Sequence, residues 1–188
     1  VYEHTGKSFF ENYSDMLTSF SERWSSELNN IVLTNSYKVN RQKKQFYTEY
    51  TYPLSDPSNK ITYVYKSGKF NRGAIVKLYP DGREQTIIFT GHLTGTIGLG
   101  NRTLIWSEEI PDVRWDEGDS VIKIYDIDRK TVDQIKTKGK LFAPTISHDD
   151  RTIAAMTYNP DGKSGMVIID KKSSTIVKTV PVPDKFLW

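Results

Sequence analysis

One pattern recurs three times along this chain: a polar turn followed by a short apolar strand. The strands are anchored at Ile61, Leu104 and Ile153, and a second apolar strand recurs at Leu78, Ile124 and Ile168. Equivalent anchors are about 45 residues apart, and a unit of that size cannot bury its own apolar surface. The repeat therefore predicts a row of similar modules that pack against one another.

Each unit contains the elements of a small antiparallel sheet. Turns such as Pro80-Asp81-Gly82 separate runs rich in Ile, Val, Thr and Tyr, and no helical period is sustained after residue 46. Four strands in about 45 residues is the period of a β-propeller blade. The sequence predicts a mostly β chain, a partial β-propeller of about three four-stranded antiparallel blades, at residues 50–91, 92–140 and 141–188.

The N-terminal part has a different pattern, with apolar side chains every three or four residues. These side chains form one helical stripe and are Phe9, Tyr13, Met16, Phe20, Trp24, Leu28 and Ile31. Ser8 followed by Glu11 is a capping-box start, so one amphipathic helix is predicted from about Ser8 to Asn30. Residues 1–34 are assigned to this helix, either packed on the blades or as the tail of a preceding domain, and residues 35–49 to a linker.

The repeat units resemble a known family. The stretch Ser147-His-Asp-Asp-Arg-Thr-Ile-Ala-Ala-Met156, followed by Val167-Ile-Ile-Asp-Lys171, is similar to the repeat of TolB-like (WD-repeat-like) β-propellers. No unit keeps that family's Pro-Asp-Gly-Lys turn intact, so the resemblance is to the blade type. It implies a propeller fold and a cell-envelope or secreted protein, and it carries no catalytic residue.

The helix has a weaker resemblance of its own. Phe9-Phe10, spaced at helical intervals from Phe20 and Trp24, is similar to the closing helix of gluzincin metallopeptidase domains. That resemblance implies a peptidase domain before the helix. The chain itself contains no His-Glu-x-x-His, so it has no peptidase zinc motif of its own.

Composition narrows the possible chemistry. The 188 residues include 26 Lys and Arg against 23 Asp and Glu, three His and no Cys. Without Cys there is no disulfide, thiolate metal site or cysteine nucleophile, and a net charge of +3 is too small to predict a nucleic-acid partner. No run approaches the roughly 18 apolar residues of a membrane span. His4, His92 and His148 lie in separate segments, so no catalytic residue, metal site or cofactor is predicted.

The most unusual stretch contains six carboxylates within twelve residues, in the predicted loop between the second and third strands of the middle blade. Its candidate site residues are Glu108, Glu109, Asp112, Arg114, Trp115, Asp116, Glu117 and Asp119. Long loops on rigid scaffolds commonly carry binding sites. Three interpretations remain open: recognition of a partner, a Ca²⁺ site whose spacing fits no calcium-loop pattern, and an exposed polar loop.

Tyrosines alternate in the first unit, at Tyr47, Tyr50, Tyr52, Tyr63 and Tyr65. The alternation predicts that they lie on one face of the early strands. They are interpreted either as cross-strand packing or as a surface on which a sugar or peptide stacks.

The sequence favours a non-catalytic binding or scaffold module that displays loops to a peptide or protein partner. Closed propellers typically need about four to eight blades, so the chain is expected to be a piece of a larger protein or to self-associate and complete the ring. One alternative is the accessory propeller of a peptidase, with a gluzincin domain upstream or a serine hydrolase downstream. Another is a propeller lyase or hydrolase whose site forms only in the complete ring.

Overall fold

The computed structural model describes residues 2–40, 46–111, 119–137, 140–158 and 164–181. The chain divides into two compact units, Val1–Lys38 and Val39–Trp188. The first unit is helical and the second contains the strands.

The predicted N-terminal helix is confirmed as α2 (Phe9–Asn29), which follows a short α1 (Tyr2–Thr5). The capping box also forms: the Glu11 amide donates to Ser8 Oγ (3.3 Å) and the Ser8 amide donates to Glu11 Oε2 (2.7 Å). These bonds lower the pKa of the Glu11 carboxyl. No residue of α2 is buried, so its predicted packing stays a prediction, and no described helix has the length and apolar character that crossing a membrane requires.

The second unit contains three four-stranded antiparallel sheets, as the repeat predicts. Sheet 1 comprises β1 (Thr48–Asp56), β2 (Ile61–Gly68), β3 (Asn71–Leu78) and β4 (Glu84–Phe89). Sheet 2 comprises β5 (His92–Leu99), β6 (Thr103–Ile110), β7 (Asp119–Asp126) and β8 (Thr131–Lys136). Sheet 3 comprises β9 (Lys140–Ile146), β10 (Thr152–Tyr158), β11 (Ser164–Asp170) and β12 (Thr175–Pro181). Each sheet pairs its strands in chain order.

The sheets pack face to face because alternate side chains of each strand point to opposite faces. Between sheets 1 and 2 lies a buried cluster of Ile61, Tyr63, Ile75, Ile97, Leu104, Trp106 and Tyr125. Between sheets 2 and 3 lies a second, more aliphatic cluster of Ile105, Ile122, Ile124, Ile135, Leu141, Ile146, Ile153, Ala155, Val167 and Ile169. We call each region between two consecutive sheets a junction. Leu104 and Ile105 thus pack in different junctions although they are adjacent in the chain.

The alignment of the first repeat unit is wrong by one residue. Leu104 and Ile153 are the second residues of β6 and β10 and face the preceding sheet, whereas Ile61 is the first residue of β2 and faces sheet 2. A shift of one residue reverses every side chain of a strand. The third residues of these strands, Tyr63, Ile105 and Ala154, are therefore the equivalent positions that face forward.

A bulge recurs in the first strand of every sheet. The pairing register shifts between Thr51 and Leu54 in β1, between Thr94 and Ile97 in β5, and within the corresponding stretch of β9. Each bulge contains a residue with positive φ: Tyr52 (54°), Gly95 (83°) and Ala143 (48°). The first strands of the three sheets, β1, β5 and β9, therefore share one irregular backbone shape.

The outer faces of sheets 1 and 3 differ. On sheet 1, Val64, Ala74, Val76 and Leu78 are buried beneath Val39 and Tyr50. On sheet 3, the paired row Phe142, Met156, Met166 and Val180 crosses all four strands and is only partly covered. Self-association through these faces stays a prediction.

The tyrosines of sheet 1 do not share one face, contrary to the prediction. Tyr63 packs in the cluster against sheet 2, whereas Tyr50 packs on the outer face. Tyr50 pairs with Lys66 across the β1–β2 ladder, and the bulge at Tyr52 then shifts the register. The alternation of tyrosines along the sequence therefore does not place the tyrosines of β1 and β2 on the same face of the sheet.

Candidate functional site

The predicted partner loop is partly described. Glu108 and Glu109 end strand β6, and Asp119 begins β7. The other predicted site residues, Asp112, Arg114, Trp115, Asp116 and Glu117, lie outside the described residues.

The Glu108 carboxylate accepts two hydrogen bonds from within the protein. Its Oε1 accepts hydrogen bonds from the Trp106 indole Nε1 (2.7 Å) and from the Gly91 amide (2.8 Å). Gly91 belongs to the link between sheets 1 and 2, and Trp106 is buried, with 1% of its surface exposed. The Glu108 carboxylate therefore joins the base of the loop to the link and to the core.

The other two described acids lie near basic side chains. Glu109 Oε1 is 3.8 Å from Lys140 Nζ, and Glu109 Oε2 is 3.8 Å from His92 Nε2. Asp119 Oδ2 is 2.5 Å from Lys136 Nζ. In the part of the chain that the structure describes, no three acidic or histidine side chains form a group suited to a metal ion. The described acids support the loop base, and partner recognition by residues 108–119 stays a prediction.

The loop between β6 and β7 is the longest of its kind. Residues 111–118 connect these strands, whereas residues 69–70 connect β2 to β3 and residues 159–163 connect β10 to β11. Because strands alternate in direction, the strand ends that these residues connect are at the same end of each sheet. We call this end the loop end, and the opposite end the turn end.

A cleft opens at the turn end between sheets 1 and 2, with a volume of about 690 Å³. Its lining from sheet 1 is Asp56, Asn59, Ile61, Tyr63, Lys77 and Tyr79; its lining from sheet 2 is Asn101, Arg102, Ile127 and Asp128. The volume lies in the usual range for small-molecule sites, about 300–1,000 Å³. The cleft is therefore a second candidate site.

Several polar groups of the cleft are already paired. Asp56 accepts from the Asn59 amide (3.1 Å) and from Asn59 Nδ2 (2.8 Å), and Arg102 Nε is 2.7 Å from Asp128 Oδ2. Tyr79 donates its hydroxyl to Gln85 Oε1 (2.8 Å). The side chains that bound the cleft are thus held in position before any ligand arrives.

Tyr63 forms part of the cleft floor and is 1% exposed. Burial, followed by the nearby Asp56 carboxylate, raises the pKa of its phenol to about 12. The hydroxyl therefore stays protonated at neutral pH. Lys77 Nζ lies 5.5 Å from the centre of the Tyr63 ring, a cation–π contact.

Sequence reasoning missed the cleft. Tyr63 was grouped with other tyrosines, and Lys77 belongs to the following strand. The two are brought together only by the β2–β3 register, in which Tyr63 pairs with Lys77. A polar residue in an otherwise apolar strand, Lys77 in Val76-Lys77-Leu78, was the available signal.

Neither a protein-family description nor a curated protein sequence matches this chain. Among solved structures it resembles the β-propeller domain of the Trilobed protease from Pyrococcus furiosus, with a TM-score of 0.56 and 11% identity over 76% of this chain and 45% of that one. The fold is a partial β-propeller. The predicted fold of β-propeller blades is confirmed.

Two further solved structures share this fold. The acylaminoacyl peptidase of Pyrococcus horikoshii aligns with a TM-score of 0.55 and 9% identity, over 79% of this chain and 27% of that one. A puromycin-hydrolyzing peptidase of Mycobacterium tuberculosis aligns with a TM-score of 0.54 and 13% identity, over 75% of this chain and 22% of that one. The chain thus spans less than half the length of these proteins, and the gluzincin resemblance of the helix stays a prediction.

Proposed function

We propose that this chain is a non-catalytic propeller module that binds a peptide or protein partner at its loop end. The observation that carries the proposal is the supported base of the longest loop. Glu108 joins that base to Gly91 and Trp106, and Asp119 pairs with Lys136. A loop fixed at both ends loses less conformational entropy on binding than a free one.

The composition of the loop suits protein recognition. Trp and Arg are enriched at the energetic centres of protein interfaces, and Trp115 and Arg114 stand next to each other in this loop. The adjacent carboxylates favour a partner with basic side chains. In line with the resemblance to TolB-like propellers, we place the module in the cell envelope or in a secreted protein.

Affinity capture tests this proposal. The chain is immobilised and exposed to an envelope extract, and captured proteins are compared with those retained by a Trp115→Ala/Glu117→Ala variant. At least one partner is expected to be lost from the variant, and its affinity, measured after purification, is expected to fall about 10-fold or more.

A matched double variant at the turn end, Lys60→Ala/Arg83→Ala, serves as the control. It removes two exposed side chains from the opposite end of sheet 1 and is expected to keep the partner. Equal capture by the wild type and the loop variant would contradict the proposal.

A second candidate function is the accessory propeller of a peptidase. It is favoured by the protease and peptidases named among the similar structures. The parent reading frame tests it: a His-Glu-x-x-His motif upstream of Val1 or a Gly-x-Ser-x-Gly motif downstream would support this role. A reading frame without either motif would reject it.

A further inference from the structure

The junction between sheets 1 and 2 differs from the next junction at equivalent positions. At the forward face, sheet 2 presents the paired residues Ile105 and Ile124, whereas sheet 1 presents Tyr63 and Lys77. Sheet 3 presents Ile153 and Ile169 to the isoleucines of sheet 2. In the other junction, sheet 2 presents Leu104 and Tyr125 to sheet 1. A four-isoleucine layer in one junction is thus replaced by two tyrosines, a lysine and a leucine in the other.

The turns above the two junctions differ in the same way. Between sheets 2 and 3, the Arg102 amide donates to Asp150 Oδ2 (2.8 Å) and Lys171 Nζ donates to Thr103 Oγ1 (2.7 Å). Between sheets 1 and 2, no hydrogen bond or ion pair among the described residues joins the turn at residues 56–60 to the turns of sheet 2. Hydrogen bonds therefore link the turn ends of sheets 2 and 3, beside a cleft of about 620 Å³. No such link joins sheets 1 and 2 among the described residues.

The cleft floor between sheets 1 and 2 contains an unpaired polar group. The Tyr63 side chain is almost fully buried and lines the cleft, yet its hydroxyl makes no hydrogen bond with any described residue. The hydroxyl is not among the fully buried described atoms that lack a partner, so it reaches the open space of the cleft. A phenylalanine would fill the same volume, whereas the tyrosine gives the cleft floor a hydrogen-bond donor and acceptor that a ligand can use.

Charge restricts the chemistry of that partner. The lining contains two carboxylates, Asp56 and Asp128, and two cations, Lys77 and Arg102, so its formal charge is balanced. An anion would meet the carboxylates and a cation would meet the lysine and arginine. A neutral ligand with many hydroxyl groups can donate to the acceptors, accept from the donors, and place its C–H surface against Ile61 and Ile127.

We propose that the cleft between sheets 1 and 2 binds a neutral carbohydrate of one or two sugar rings. The Tyr63 hydroxyl and the Asn101 amide form hydrogen bonds to sugar hydroxyls, and Lys77 contributes a donor from the side of the cleft. This site is at the turn end and is independent of the partner loop.

Saturation-transfer NMR with maltose, cellobiose and lactose tests the proposal. At least one of these disaccharides is expected to bind at or below about 10 mM, the weak end of specific recognition. Tyr63→Phe removes one hydrogen bond and is expected to weaken binding about 3- to 10-fold. Asn101→Ala, at an exposed position whose change spares the core, is expected to do the same.

Tyr158→Phe is the matched control, because it removes the same hydroxyl from an exposed position on sheet 3. It is expected to leave the affinity unchanged. Glucose, glucuronate and glucosamine test the charge argument at constant ring size, with glucose expected to bind best. The proposal is overturned if no disaccharide binds, if neither cleft variant weakens binding, or if a charged sugar is preferred. None of these results bears on the loop variants.

Discussion

Replacing Trp106 with alanine is expected to lower the free energy of unfolding by about 3–5 kcal/mol. Trp106 is among the largest fully buried side chains and lies in the cluster between sheets 1 and 2. Its removal leaves a cavity and also removes the indole donor of the Glu108 carboxylate. Urea denaturation followed by far-ultraviolet circular dichroism measures the loss without relying on tryptophan fluorescence.

Trp24→Ala is the control for this experiment. The Trp24 side chain is 56% exposed on α2, so the same substitution there is expected to change the unfolding of the sheets by less than about 0.5 kcal/mol. A Trp106→Ala protein as stable as the Trp24→Ala protein would show that sheets 1 and 2 do not share a packed core.

Replacing Gly95 with alanine is expected to lower the free energy of unfolding by about 2–4 kcal/mol. Gly95 has φ of 83° within the bulge of β5, and a Cβ there would lie 3.0 Å from the backbone nitrogen of Ala143 in sheet 3. The left-handed conformation and the contact with a neighbouring backbone are separate costs. Both costs are expected to lower the urea concentration at which half of the protein is unfolded.

Gly6→Ala separates the general effect of the substitution from this contact. Gly6 also has positive φ (65°), but nothing lies within 4 Å of a Cβ at that position, and it belongs to the other compact unit. The midpoint for unfolding of the sheets is expected to stay where it is. A Gly95→Ala protein with an unchanged midpoint would contradict the close approach of β5 and β9.

Elements that depend on neighbouring residues were predictable from the sequence. The helix follows from a continuous apolar period and from Ser8 and Glu11, which interact within one turn. The number of strands follows from turn residues that interrupt short β-branched runs. These signals are local, so no knowledge of packing is needed to interpret them.

Features that depend on register were not predictable. Aligning Ile61 with Leu104 matched two apolar residues that lie on opposite faces of their own sheets, and only strand pairing distinguishes them. The repeated bulge had no common residue type, because Tyr52, Gly95 and Ala143 occupy it. The cleft depends on the pairing of Tyr63 with Lys77 and on the packing of sheet 1 against sheet 2, and neither is encoded in a contiguous motif.

The loop was found by composition but not by geometry. Clustered carboxylates and Trp115 identified residues 108–119 as unusual, whereas the pairing of Glu108 with Trp106 and Gly91 required the folded structure. Those hydrogen bonds give Glu108 a role in supporting the loop base, and its predicted part in partner binding stays a prediction.

Consecutive repeat units pack face to face, and an introduced disulfide across one junction tests this packing. A Cβ at residue 100 would lie 3.1 Å from Asp150 Cγ, an atom that a cysteine sulfur closely replaces, and an S–S bond of about 2.05 Å places each Cβ about 3 Å from the opposite sulfur. Because the chain has no other Cys, mass spectrometry of oxidised Gly100→Cys/Asp150→Cys protein is expected to show one intramolecular bond. Gly100→Cys/Val177→Cys, which pairs the same turn with the outermost strand of sheet 3, is expected to stay reduced. Failure of the first pair to form the bond, or equal bond formation in both pairs, would contradict the packing of the sheets.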